Sequence, residues 1–152
     1  MKHWVWLSLL SWLGISQARG QVTAITILDP AIDLYVQTAA DFQNGVSVSE
    51  QTLALTVAAN KNITLQVRAS GNLISGVNSI PIGSMYVQVT SSTPVQAEKQ
   101  LSTTAQTILS GTVSSAYSSR PITIKYRLAP GTDIFKPKGA YKTTLTFTFS
   151  AL

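Results

Sequence analysis

Over its last thirty residues the chain alternates between apolar and hydroxylated or charged side chains. Ile122, Ile124, Tyr126 and Leu128 stand in one phase against Thr123, Lys125 and Arg127. Tyr141, Thr143, Leu145, Phe147 and Phe149 then alternate with Lys142, Thr144, Thr146 and Thr148. A period of two marks a strand with one face buried and one face wet, because successive side chains leave a strand on opposite sides. A helix would scatter both sets around its circumference, so these segments exclude a helical fold for this end of the chain.

The same period recurs upstream. Leu53, Leu55 and Val57 alternate with Thr52, Ala54 and Thr56, and Ile63, Leu65 and Val67 with Thr64, Gln66 and Arg68. Ala58–Asn62 between these two runs reads as a five-residue hairpin loop. Val22–Leu28 is mostly β-formers, Asp29-Pro30 breaks it, and Ile32–Val36 reads as a short second piece. Further strands are expected at Tyr86–Val89 and Thr107–Leu109. Ala97–Leu109 also carries apolar residues at helical spacing, but its Ser and Thr residues are poor helix formers and favour loop then strand. Turn residues at Asn44-Gly45, Ser70-Gly71, Pro130-Gly131 and Lys138-Gly139 punctuate these runs. The pattern predicts an all-β fold: an Ig-like antiparallel β-sandwich of about seven or eight strands, as one domain over residues 21–152. In the long loop Ala129–Ala140, Phe135 is expected to plug the bottom of the sandwich; the other reading is an exposed contact loop.

Met1–Gly20 reads as a cleaved signal peptide. Lys2 and His3 precede an apolar stretch from Trp4 to Ile15, and Ala18-Arg19-Gly20 sets small residues three and one before a cut at Gln21. The stretch is shorter than the ~20 residues that span a bilayer. The expectation is therefore an exported product, in the periplasm, at the cell surface or outside the cell. Removing this leader also filters the chemistry. The single His and all three Trp lie within it, and the chain has no Cys. The mature chain thus lacks Ser-His-acid or Cys-His catalysis and Cys/His zinc sites. Its charge is +3 rather than +5, nine bases against six acids, which is too mild to argue for nucleic acid. The acids are scattered, no phosphate-binding glycine loop is present, and no cofactor or metal is expected. The expectation is a non-catalytic protein.

Basic residues cluster near the C-terminal end. Lys125 and Arg127 share the wet phase of one strand and Lys142 that of the last. Paired as a hairpin, the two strands would join Lys125, Arg127 and Lys142 into a basic patch for an anionic cell-surface glycan; without a ligand they are a solvated face that discourages edge-to-edge association.

The stretch Pro121–Leu152 carries a resemblance. It is an alternating strand, a Pro/Gly loop, then Gly139-Ala140-Tyr141 ahead of an alternating last strand. This resembles the closing half of bacterial fimbrial-type Ig-like domains, including spore-coat-U-like pilins. The resemblance implies a subunit whose sandwich is incomplete and is finished by a strand from a neighbour, itself or a related subunit. On that basis Tyr141, Leu145, Phe147 and Phe149 mark a C-terminal edge strand, and Val22, Ile25, Ile27 and Leu28 an assembly strand. Two features depart from the family: no Cys for a disulfide, and only Gln21 to about Tyr35 to serve as a donor. Val22–Leu28 equally fits the first strand of a self-sufficient domain. The size also fits a small outer-membrane β-barrel, although the mature chain has only nine aromatics for its girdles.

Overall fold

The computed structural model describes residues 23–152. The leader, its cleavage site and Val22 lie outside the described residues. The elements in chain order are β1 (Ala24–Ile27), α1 (Ala39–Asn44), β2 (Val46–Val57), β3 (Lys61–Ala69), β4 (Leu73–Ser75), β5 (Asn78–Ile80), β6 (Met85–Val89), β7 (Lys99–Gln100), β8 (Gln106–Val113), β9 (Tyr117–Leu128) and β10 (Leu145–Ala151). A five-stranded sheet runs β1-β2-β9-β6-β7 and a three-stranded sheet β10-β3-β8, with β4 and β5 as a separate small hairpin. All pairings are antiparallel. This is the expected all-β sandwich. It has ten strands among the described residues, seven of them four residues or longer, and its two sheets do not close into a barrel.

The inward phases of the two sheets make one core. Leu53, Leu55, Leu65, Val67, Val87, Val89, Ile124 and Tyr126 are all essentially inaccessible. Each such aliphatic side chain contributes about 1.5–3 kcal/mol by leaving water, which is how a domain without disulfides holds itself together.

Three local departures from simple alternation shape the sandwich. In β2 the register against β9 shifts between Gln51 and Leu53, so Thr52 is an extra residue. Its side chain turns inward, buried, and its hydroxyl meets the Tyr126 hydroxyl at 2.8 Å. Before Thr52 the core-packed residues are Val46 and Val48; after it they are Leu53, Leu55 and Val57. This change of phase explains why the sequence pattern shows only the second half of the strand. In β8 the extra residue is Ile108, opposite the Leu65–Gln66 step of β3, so Ile108 and Leu109 both face the core. Helix α1 has no periodic signal in the sequence but does have a cap. Thr38 accepts from the Asp41 backbone N–H at 3.2 Å, and the Asp41 carboxylate accepts from Thr38 N–H at 2.8 Å.

Two expected pairings are corrected. Ala58–Asn62 is not a hairpin loop: β2 belongs to the five-stranded sheet and β3 to the three-stranded one, and the chain crosses between them with Asn60 at φ 60°. Nor do β9 and β10 form a hairpin, since they too lie in different sheets. The long loop between them is where the chain changes sheets. Its buried plug is Ile134, whereas Phe135 is 59% exposed and stacks on Phe42 of α1, ring centroids 4.8 Å apart.

Candidate functional site

Strand β10 is an edge, and its free side is apolar. Its partner β3 pairs along its full length, from Leu145 opposite Ala69 to Ala151 opposite Ile63, without a register shift. Just beyond the strand, Leu152 and Asn62 exchange two backbone hydrogen bonds of 2.9 Å. Such doubly bonded pairs recur at every second residue of an antiparallel ladder. Thr146, Thr148 and Ser150 therefore turn their backbone groups toward β3. Leu145, Phe147, Phe149 and Ala151 turn theirs outward, where no described residue bonds them. The side chains of these same four residues pack against the core, but all four remain only half-buried. Free backbone donors and acceptors and incompletely covered core side chains thus coincide on four alternate residues.

The neighbouring flank explains the exposure. The other edge strand of this sheet, β8, lies against β6, so β10 faces the side where the first sheet ends in β1 and β2. There β1 covers only part of β2, pairing Ala24–Ile27 with Leu53–Thr56. After Asp29 the chain continues with Ile32, Leu34 and Val36 half-buried against the core and Ala31, Asp33 and Tyr35 exposed. That is the side-chain pattern of a strand, yet the segment from Ile32 to Val36 has no ladder partner among the described residues. The sandwich is closed along β6–β8 and open along β10.

The structure brings some expected site residues together and separates others. Leu145, Phe147 and Phe149 share the β10 edge, and Ala151, which the sequence reading left out, belongs with them; the alternation simply continues through Ser150. Tyr141 does not lie on the strand. It precedes it, with its hydroxyl donating to the Pro137 carbonyl at 2.8 Å. Of the expected assembly strand, Val22 lies outside the described residues. Ile25 and Ile27 belong to β1, laddered to β2 of their own chain rather than to the last strand, and Leu28 continues it by donating its N–H to the Thr52 carbonyl at 2.9 Å. Ile27 and Leu28 are about half-exposed, at 49% and 47%.

The basic patch does not assemble as expected, because its two strands are in different sheets. Lys125 and Arg127 are on β9, between β2 and β6. Arg127 grips Glu98 through two bonds of 2.8 and 2.6 Å and lies over the Tyr86 ring, 4.5 Å from its centre. These bonds hold the Glu98 carboxyl below the usual glutamate range. Arg127 is thus a neutralised clamp. Lys142 sits elsewhere, bridged to Ile74 and lining a shallow cleft with Ser70, Asn72 and Thr143. A second, open groove beside β2 is lined by Asp29, Asp33, Asp41 and Glu50. The sequence reading found these acids scattered; the fold gathers them on one flank. The Asp41 carboxylate is engaged by the Gln37 and Thr38 N–H groups, which hold it below the usual aspartate range. No described group of acids is arranged to hold a metal. No protein-family model, curated protein or solved structure matches this chain.

Proposed function

We propose that this chain is an exported, non-catalytic structural subunit that assembles by β-strand addition, with an added strand lying along β10. The observation that carries this is the coincidence at Leu145, Phe147, Phe149 and Ala151 of outward backbone groups with core side chains that are only partly covered. Strand addition satisfies both at once: backbone bonds give affinity, and inward side chains of the new strand cover the core. The segment from Ile32 to Val36 supports the same reading, since it lies beside β2 on that flank and is itself without a ladder. A pilus or surface fibre is the form such assembly takes in the domains that Pro121–Leu152 resembles. The leader is consistent with export.

The test is to run the purified protein unheated on a denaturing gel and to view it by negative-stain microscopy. Assemblies larger than the monomer, from a dimer band to ladders or fibres, are expected. They should disappear in Phe149→Lys, which places a charge at the edge, and in Ala151→Pro, which removes an outward N–H without touching the β3 ladder. A wild-type protein that remains monomeric at high concentration, alone and with the other exported proteins of its source cell, contradicts the proposal.

A further inference from the structure

We infer that the strand added along β10 is the β10 of a second copy, so that two chains join through a two-fold axis into one continuous six-stranded sheet. This inference rests on the reading of β10 as the assembly edge and names its occupant.

The other edges are shielded in ways that β10 is not. β7 is two residues long and begins with Lys99; β1 is four residues long. β8 is longer, but its extra residue at Ile108 breaks its regularity. Short edges, edge lysines and bulges are the ordinary means of preventing strand pairing. β10 has seven residues, no register shift, no charge and no proline. The N-terminal segment, the other candidate occupant, already spends Ala24–Ile27 on β2 of its own chain.

The sequence of β10 is also complementary to itself. Antiparallel pairing with Leu145 opposite the second copy's Ala151, and Phe147 opposite its Phe149, uses all four outward-turned residues of each chain. In that register every one of them meets another outward-turned residue, as a doubly bonded pair must. Inward side chains of both copies then fall on the same face. Phe147 of each chain meets Phe149 of the other, joining the two cores with cross-strand aromatic pairs. On the wet face Thr146 meets Ser150 and Thr148 meets Thr148, with no like charges opposed. The contact is isologous and closes on itself. A fibre built from such pairs would grow through another surface.

The register fixes the test. The axis passes beside Thr148, where the two copies form a non-hydrogen-bonded pair with Cα atoms about 4.5 Å apart, within the range a disulfide spans. The protein has no cysteine of its own, and the Thr148 side chain is on the exposed phase of the strand, so Thr148→Cys is a clean probe. Under mild oxidation Thr148→Cys should convert mostly to a covalent dimer of twice the mass. Thr146→Cys alone should stay monomeric, and Thr146→Cys mixed with Ser150→Cys should cross-link. Wild-type protein should sediment as a dimer, and Phe149→Lys as a monomer. Equal cross-linking of Thr146→Cys and Thr148→Cys overturns the register and with it the inference. Fibres or ladders from a Thr148→Cys protein that does not cross-link also overturn it, while leaving strand addition by another segment intact. A wild-type monomer that nonetheless takes up a strand from a different exported protein separates the two claims in the same way.

Discussion

The two edges of the three-stranded sheet share one central partner, β3, and differ in what covers them. On β8, Ile108, Leu109 and Val113 are 2%, 8% and 2% exposed. On β10, Leu145, Phe147, Phe149 and Ala151 are packed on the core but all remain partly exposed. Neither apolar content nor strand length accounts for this, because β10 is rich in apolar residues and nearly as long. The difference lies in the opposite sheet. β8 has β6 in front of it, whereas β10 faces the side where β1 is short and the segment from Ile32 to Val36 lies without a ladder. The backbone groups left free at the two edges differ as well. On β10 they belong to the inward residues themselves, which makes that edge a template for another strand. A half-buried core face and a free ladder on the same residues are what an added strand would cover at once.

Substitutions in the isolated protein at low concentration separate the two edges. Ile108→Ala should cost about 2–5 kcal/mol in urea unfolding, the usual loss for a buried aliphatic residue that leaves a cavity. Phe147→Ala removes a larger side chain but should cost about 2–3 kcal/mol, less than a fully buried Phe, because part of that ring remains in water. In assembled protein its cost should rise toward the fully buried value, since the ring is then covered. If Phe147→Ala costs the ~3–5 kcal/mol of a fully buried Phe in dilute monomer, the edge is not open.

Two smaller effects test the rest of the comparison. Tyr126→Phe strips the buried Thr52 hydroxyl of its 2.8 Å partner at the bulge, and should cost about 1 kcal/mol. Burial pushes the Tyr126 hydroxyl up to about 12. A phenol that ionises more easily unfolded than folded stabilises the fold fully below its unfolded pKa of about 10. That contribution is lost as pH rises from there through the folded value. Thermal melts of wild type should therefore fall over that alkaline window, and those of Tyr126→Phe should fall less. On the closed flank, Glu98→Gln breaks the clamp on Arg127 and should cost under about 1 kcal/mol at neutral pH. Because Arg127 lowers the Glu98 pKa, the contribution is present above the ordinary glutamate range and lost as pH falls through the folded value. The variant should show a shallower loss of stability in acid. Neither change should affect assembly through β10.

What could be read from the sequence follows from how local each signal is. The inward phases of β3, β10 and the second half of β9, from Ile122 to Leu128, were legible because each runs unbroken there. The first half of β2 was not, because Thr52 changes the phase and Glu50 interrupts the apolar alternation before it. The capped turn at Thr38 has a short-range cue of its own, a threonine three residues before an acid, although no apolar period accompanies it. Sheet assignment was the larger loss. The five residues after Val57 look like a hairpin loop, yet Ala58–Asn62 carries the chain from one sheet to the other, which only the packing of both cores decides. The basic patch failed for the same reason, since Lys125 and Lys142 share a phase but not a sheet. The apolar identity of the β10 edge was visible in advance. That its core face would stay half-uncovered was not, because this depends on where β1 ends in the opposite sheet.

Backbone amide hydrogen exchange, read residue by residue along β10, tests the central claim most directly. In dilute monomer the amides of Thr146, Thr148, Ser150 and Leu152, which bond β3, should be protected, while those of Leu145, Phe147, Phe149 and Ala151 should exchange close to the rate of unprotected chain. On assembly the second set should become as slow as the first. Uniform protection of all eight amides in the monomer, or a second set that stays fast after assembly, would contradict the account.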